Sequence, residues 1–238
     1  MVIKKTAALL LGVLIGVFCL AGCGQTGGTD LSDNDTAGTS GAAETQQTEE
    51  SSKSGEIDYY GKELKEFSED ELLSGKHHVK MEIKDKGTIT LELDADQAPI
   101  SVTSFCQLAK SGFYDGLTFH RIIAGTFMQG GDPLGSGIGG PGYTIKGEFA
   151  ANNVNNTLSH TRGAISMART QDYNGGGCQF FIMDQDYTAF DGQYACFGYV
   201  TEGMDVVDDI CTTVQALDNN GTIAPEDQPV ITKVTVID

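Results

Sequence analysis

The side chains best suited to chemistry in this sequence are an arginine, two glutamines and several aromatic rings. Arg121 lies in the apolar and aromatic run 119–123. A guanidinium stays charged at physiological pH and donates hydrogen bonds in a fixed plane, so it can stabilise an electron pair that develops beside it. Gln129 and Gln179 add neutral donors and acceptors, and rings such as Phe181 could form an apolar slot. Each has an ordinary alternative, because a lone arginine usually lies on the surface and phenylalanines usually belong to the core.

Short strands separated by glycine-rich turns must carry these residues. Apolar and polar residues alternate over 79–83 and 89–93, which is typical of a β-hairpin. Further strands are predicted at 117–123, 127–129, 164–167, 179–183, 195–200 and 230–237. Helices are predicted over 99–112 and 202–211 from the spacing of their apolar residues. The pattern predicts a mainly β fold, a closed antiparallel β-barrel with two covering helices.

The first residues have the order of a bacterial lipoprotein signal. Lys4 and Lys5 precede an uncharged apolar stretch over 7–20, which ends in the box Leu20-Ala21-Gly22-Cys23. The stretch is short for a membrane span and suits a signal peptide. The resemblance implies cleavage before Cys23 and lipidation of its thiol. The alternative is an ordinary secretory signal in which Cys23 is incidental.

Composition divides the remaining chain into three parts. Residues 23–56 are rich in glycine, serine, threonine and acids, with one large apolar residue, Leu31, and are predicted to be a flexible acidic and polar tether. Residues 57–75 mix apolar residues with charges and could form either a short helix or a strap against the domain. Residues 76–238 are predicted to form one folded domain.

Charge and ligand spacing exclude several functions. The formal net charge of −18 argues against a nucleic-acid partner, because phosphate binding needs a basic surface. His77 and His78 would point to opposite faces of a strand, so they make a poor metal site. Four cysteines of the domain lack zinc-site spacing, namely Cys106, Cys178, Cys196 and Cys211. We expect free buried thiols and no metal or cofactor.

From His77 onward, ordered blocks of the sequence resemble the cyclophilin-type peptidyl-prolyl isomerases of bacteria. The blocks are 112–123, 129–133, 139–143, 148–149, 166–169, 179–182, 190–194 and 197–198. That resemblance implies the β-barrel fold and catalysis of cis-trans isomerisation at X–Pro peptide bonds. No bond breaks in this reaction, whose barrier of about 18–20 kcal/mol comes from the partial double bond of the amide. A catalyst need only favour the twisted state, in which the prolyl nitrogen can accept a hydrogen bond.

The resemblance also implies a role for individual residues. Arg121 would donate to the prolyl nitrogen, the backbone N–H of Arg169 would bind the twisting carbonyl group, and Gln129 would support Arg121. The residues implied to line the substrate groove are Thr126, Phe127, Ala168, Gln179, Phe181, Phe190 and Tyr194. Because isomerisation needs no proton transfer, His120 is interpreted as structural.

Two positions depart from the family pattern, Ala189, where several members carry tryptophan, and Thr126. Without a gap, Thr126 stands where the family has its pocket phenylalanine, and Phe127 stands where it has methionine. Either the pocket is less apolar on this side, or the strand slips by one residue so that Phe127 fills it. Gln129 matches in register and a slip would reverse the faces of the strand, which favours no slip. Thr126 also favours the alternative function, a proline-peptide binding module or holdase with little turnover.

The sequence therefore predicts a monomeric isomerase without a cofactor. Its partners would be proline-containing polypeptides that have been exported, and its place would be the outer face of the cytoplasmic membrane, where Cys23 carries the lipid.

Overall fold

The computed structural model describes residues 63–238 of the chain. The predicted signal over 1–22, the tether over 23–56 and the lipid-bearing Cys23 lie outside the described residues. In the described part, no helix is both long enough and apolar enough to cross a membrane.

Eight antiparallel strands form one curled sheet. The strands are β1 (Lys76–Ile83), β2 (Gly87–Asp94), β3 (Thr118–Ile123), β4 (Phe127–Asp132), β5 (Ala164–Arg169), β6 (Gly176–Met183), β7 (Ala195–Glu202) and β8 (Ile231–Val236). Their order across the sheet is β3-β4-β6-β5-β7-β2-β1-β8. The predicted mainly β, antiparallel architecture is confirmed.

The two outer strands of the sheet meet at one end and close the curl. The N–H of Phe119 donates to the carbonyl of Pro229 at 2.9 Å, and the N–H of Ile231 donates to the carbonyl of Leu117 at 2.7 Å. Further along β3, the N–H of Ile122 donates to the carbonyl of Gly221 at 2.8 Å. The outer edge of β3 is therefore paired with the segments that precede β8.

The hairpin β1–β2 forms where the sequence alternates most regularly. Val79, Met81 and Ile83 are buried on β1, and alternate residues from Ile89 to Leu93 are buried on β2. Successive side chains of a strand point to opposite faces, so this period of two gives one core face and one solvent face. The predicted hairpin is confirmed.

Helix α1 (Pro99–Lys110) covers the sheet and matches its prediction. Pro99 occupies the first turn, where its missing N–H has no intrahelical partner to lose. The predicted apolar face is buried, and it comprises Val102, Phe105, Cys106 and Ala109.

Helix α2 (Met204–Thr213) begins two residues later than the predicted start at residue 202. Glu202 belongs to β7, where it pairs with Thr90. Gly203 then turns the chain with a φ of 87°, and a Cβ atom at this position would lie 2.3 Å from the carbonyl oxygen of Thr88. Only glycine fits this junction, so the helix cannot start before it.

Several strands are longer than predicted. β4 continues beyond residue 129 to Asp132, and β6 begins at Gly176 rather than at residue 179. The added residues are largely glycines, which carry no side chain and so give no alternating pattern.

The core has a large and a small apolar cluster. The large cluster contains fully buried aromatic residues from helix and sheet, among them Phe105, Phe180 and Phe197. The small cluster centres on Phe127 and Phe181. Since Phe180 and Phe181 are neighbours on β6, the pleat sends one ring to each cluster.

Residues 63–75, which we call the strap, lie against the domain ahead of β1. Leu64 pairs with Thr144 as a parallel bridge, a turn follows at 68–71, and Phe67 and Leu73 pack against the large cluster. The sequence left open whether residues 57–75 form a short helix or a strap, and the described residues 63–75 form a strap.

The four cysteines of the domain are free and buried, as expected. Burial raises the pKa of Cys106 and Cys196 to about 11 and that of Cys211 to about 12, and it raises the pKa of Cys178 further. Because the thiolate is the reactive form, alkylation at pH 8 should be on the order of 100-fold slower in the folded protein than in urea. Peptide mapping by mass spectrometry after N-ethylmaleimide treatment measures each thiol. A native rate equal to that in urea at any of the four would contradict this burial.

His120 should make the fold sensitive to acid. Its side chain is 4% exposed, and neither ring nitrogen has a hydrogen-bond partner among the described residues. Burial lowers the pKa of His120 from 6.5 to about 4. At a pH between these two pKa values, His120 is protonated in the unfolded chain and neutral in the folded chain. The contribution of His120 to the free energy of unfolding is therefore complete above pH 6.5 and is lost as the pH drops towards 4.

The expected loss from His120 is about 3 kcal/mol of unfolding free energy. Urea unfolding of the wild type and of His120→Leu, measured from pH 4 to 7, isolates the contribution of His120 to this loss. Leucine cannot be protonated, and the substitution breaks no side-chain hydrogen bond. We expect the variant to lose clearly less stability over that range. Equal losses in the two proteins would show that His120 does not resist protonation.

Candidate active site

Arg121 lies on β3 opposite Gln129 of β4. Its Nε donates to the carbonyl oxygen of Asn220 at 2.7 Å, and its Nη1 donates to Oε1 of Gln129 at 3.2 Å. Burial lowers the pKa of Arg121 below its ordinary value, but an arginine remains charged at neutral pH. Both partners are neutral, so the positive charge stays available to a substrate.

Two glutamines continue the chain of hydrogen bonds that starts at Arg121. Nε2 of Gln129 donates to Oε1 of Gln179 at 3.0 Å, and Nε2 of Gln179 donates to the carbonyl oxygen of Gly139 at 2.8 Å. Arginine can only donate, so Gln129 must turn its oxygen towards Arg121 and its amide nitrogen towards Gln179. We call Gln129 and Gln179 the glutamine relay. The structure thus brings together Arg121 and both predicted glutamines.

Four aromatic rings form the apolar slot beside this arginine. The ring centroid of Phe181 lies 5.4 Å from that of Phe127, 5.8 Å from that of Phe190 and 5.5 Å from that of Tyr194. Phe127 and Phe181 are buried, whereas Phe190 and Tyr194 are partly exposed. Cζ of Arg121 lies 5.0 Å from the centroid of Phe127, so the charge stands at the rim of the slot.

The register of β4 places Thr126 and Phe127 differently relative to the slot. Gln129 pairs with Arg121 and Phe127 pairs with Ile123, as expected without a slip. Phe127 and Gln129 are two residues apart and therefore share the face of the slot. Thr126 lies in the turn between β3 and β4, where its N–H donates to the carbonyl of Ile123 at 2.9 Å. The ring of Phe127 therefore lies in the slot, 5.4 Å from that of Phe181, while Thr126 lies outside the strand.

Arg169 lies at the end of β5, and its side chain makes contacts that the sequence did not predict. Its Nε donates to the carbonyl oxygen of Gln193 at 3.1 Å, and its Cζ lies 4.9 Å from the ring centroid of Tyr194. The pairing of β5 with β6 shifts register between Met167 and Arg169, which places an irregularity at Ala168. Ala168 packs against the small cluster. A bulge of this kind changes the direction in which the neighbouring side chains point.

His160 supports the slot from behind and was missed by sequence reasoning. Its ring is fully buried and stacks on Phe181 with centroids 5.9 Å apart and planes at 17°. Nδ1 lies 2.8 Å from Oδ1 of Asp191, and Nε2 lies 2.8 Å from Oγ of Ser166. Burial lowers the pKa of His160, although Asp191 acts in the opposite direction.

Serine, histidine and aspartate in this order have the composition of a hydrolase triad. Here Ser166 is 0% exposed, so its hydroxyl cannot meet a substrate. The three residues instead fix the ring of His160 against Phe181. They are separated by at least six positions in the sequence, and no motif joins them.

Comparison with known proteins identifies the family to which this sequence and fold belong. The sequence model of the family described as "Cyclophilin type peptidyl-prolyl cis-trans isomerase/CLD" matches residues 78–236. A peptidyl-prolyl cis-trans isomerase of Helicobacter pylori is 49% identical over 127 residues, which cover 52% of this chain and 75% of that protein. Peptidyl-prolyl cis-trans isomerase B of Bacillus subtilis is 46% identical over 123 residues, which cover 52% of this chain and 82% of that protein.

A solved structure extends the likeness from sequence to fold. The cyclophilin type peptidyl-prolyl cis-trans isomerase of Cryptosporidium parvum superposes with a TM-score of 0.61 at 28% identity, covering 68% of this chain and 98% of that one. With the family match running from the first strand to the last, this chain belongs to the cyclophilin-type peptidyl-prolyl cis-trans isomerases.

Proposed function

We propose that this isomerase uses Arg121 to stabilise twisted X–Pro bonds of exported polypeptides, at the outer face of the membrane that holds it through Cys23. The catalytic part rests on one observation: a guanidinium with neutral partners stands 5.0 Å from the centroid of Phe127, at the rim of an aromatic slot. A proline ring seated on Phe127, Phe181 and Phe190 would bring its nitrogen to that charge.

Arg121 is prepared for this task before a substrate arrives. A guanidinium has five N–H donors, and hydrogen bonds to Asn220 and Gln129 engage Nε and Nη1. These contacts fix the plane of the guanidinium and leave other donors for a substrate. A donor that is already oriented needs no reorganisation as the prolyl nitrogen becomes pyramidal.

The slot supplies binding that is independent of this charge. Phe127 and Phe181 form its buried floor, while Phe190 and Tyr194 form its more open wall. A proline ring gains apolar burial there in the planar and the twisted state alike, so the slot contributes mainly to affinity. The ring of Phe127 beside Phe181 supplies aromatic surface that Thr126 lacks, and this supports the proposed enzyme over the alternative of a binding module with little turnover.

The cellular place of the enzyme is argued from sequence. Lys4 and Lys5, the apolar stretch over 7–20 and the box that ends in Cys23 follow one another in the order of a lipoprotein signal. Two or three acyl chains on Cys23 would anchor the protein stably, whereas one chain alone gives marginal binding. Polypeptides that emerge from the membrane would then be its substrates.

Arg121→Ala should lose on the order of 100- to 1,000-fold of the isomerisation rate, because one preorganised donor is removed from the twisted state. Arg121→Lys should recover only part of it, since an ammonium lacks the planar fork. Exchange spectroscopy on an Ala-Pro tetrapeptide measures turnover, and titration measures affinity, which should change little. Arg162→Ala is the control, because it removes an arginine that pairs with Asp208 away from the slot. Turnover of Arg121→Ala within a few-fold of wild type would refute the catalytic assignment.

Cys23→Ser should move the protein from the membrane fraction to the soluble fraction. The matched control is Cys19→Ser, which changes a cysteine four positions earlier and leaves the box intact. Fractionation of cells that express each variant, with labelling by a radioactive or clickable fatty acid, measures both anchoring and lipidation. Unchanged membrane association of Cys23→Ser would contradict the proposed anchor.

A further inference from the structure

The strap contacts the loop that ends the glutamine relay. The N–H of Lys65 donates to the carbonyl oxygen of Thr144 at 2.8 Å, and the N–H of Thr144 donates to the carbonyl oxygen of Glu63 at 2.9 Å. The strap therefore pairs by backbone hydrogen bonds with the segment 139–145, which we call the relay loop. The family match begins at residue 78, so the strap precedes the matched region.

Lys65 adds side-chain contacts to this pairing. Its Nζ lies 4.7 Å from the ring centroid of Tyr143 in the relay loop and 4.6 Å from that of Phe67 in the strap. The same atom donates to Oε1 of Gln107 on α1 at 3.0 Å. One lysine thus connects the strap, the relay loop and a helix of the domain.

The strap is itself held to the domain at its other end. The N–H of Leu73 donates to Oγ1 of Thr103 on α1 at 2.9 Å, and the N–H of Gly75 donates to Oδ1 of Asp96 at 2.8 Å. Phe67 and Leu73 pack against the large cluster. Fixed at both ends, the strap can restrain the relay loop rather than move with it.

The relay loop packs closely on the start of β6. The N–H of Ile145 donates to the carbonyl oxygen of Gly176 at 2.8 Å. A Cβ atom on Gly177 would lie 2.8 Å from Cδ of Pro141, so no side chain fits between the loop and the strand. In the same loop, the carbonyl oxygen of Gly139 accepts the hydrogen bond from Nε2 of Gln179 at 2.8 Å.

From these contacts we propose that the strap is a positioning element of the active site, which holds the relay loop so that Gln179 and Gln129 orient Arg121. The inference rests on the catalytic role proposed for Arg121. The path runs from Lys65 through Thr144 to the relay loop, and from Gly139 through the glutamine relay to the guanidinium. Because the strap does not belong to the aromatic slot, it acts on turnover and leaves proline affinity unchanged.

Lys65→Pro is the variant that tests this path. Proline removes the N–H that donates to Thr144, removes the cation beside Tyr143, and suits the extended backbone of the residue before it. Glu66→Pro is the matched control, since Glu66 is exposed and its N–H has no partner within residues 63–238. We expect turnover of Lys65→Pro to fall about fivefold, the effect of one neutral hydrogen bond, and that of Glu66→Pro to stay at the wild-type level. Peptide affinity, measured by titration of the same tetrapeptide, should be unchanged in both.

A double-mutant cycle separates positioning from a general structural effect. In a Gln179→Ala background the relay is already cut, so Lys65→Pro should change turnover by less than about twofold, the limit of ordinary additivity. An equal loss in both backgrounds, a loss confined to peptide affinity, or no loss in the wild-type background would each overturn the proposal. If Lys65→Pro does not fold, Lys65→Met keeps the N–H and removes the cation, and about a threefold loss is expected in the same cycle.

Arg121→Ala, measured beside these variants in the full chain, reports on the catalytic assignment alone. If Arg121→Ala remains active, the role of Arg121 fails whatever the strap variants do. If Arg121→Ala is inactive while Lys65→Pro behaves as wild type, only the positioning role of the strap fails.

Discussion

A guanidinium donates hydrogen bonds and accepts none, and this constraint orders the polar side of the site. Every neighbour in the plane of Arg121 must present an oxygen, as the carbonyl of Asn220 and Oε1 of Gln129 do. The amide nitrogen of Gln129 then needs an acceptor of its own, which is Oε1 of Gln179. The amide nitrogen of Gln179 in turn donates to the carbonyl oxygen of Gly139. One charged group on β3 is thus satisfied only when both glutamine side chains take a particular orientation and a backbone oxygen of the relay loop accepts the last hydrogen bond.

The apolar side of the site depends on the pleat of the strands. Phe180 and Phe181 are adjacent on β6, yet one belongs to the core under α1 and the other to the slot. The same alternation places Phe127 with Gln129 on β4, and so puts an aromatic ring beside the arginine that Gln129 supports. His160 backs Phe181 through a stacked ring that Asp191 and Ser166 hold in place. Binding surface and charge are therefore built on the same strands, in a fixed relation.

Regular patterns made much of this fold predictable. The alternation in β1 and β2 and the apolar face of α1 follow directly from burial on one side, and the motif residues Arg121, Gln129 and Gln179 do meet in space. What the sequence could not give depends on contacts between distant residues. The start of α2 is set by the approach of Gly203 to Thr88, and the side chain of Arg169 by Tyr194. For Phe127, the sequence could not show that its ring packs on Phe181, because that contact joins two separate strands.

The paired edge of β3 determines which backbone groups near Arg121 a second chain can reach. An unpaired strand edge offers a row of free N–H and C=O groups on which another chain can assemble. Here the backbone of residues 221–223 and 229–231 already occupies the edge that β3 would otherwise present. Arg121, on that same strand, can therefore meet an extended polypeptide while the strand edge stays closed to sheet extension. The hydrogen bonds that close the curl thus also remove one site at which a second chain could add a strand.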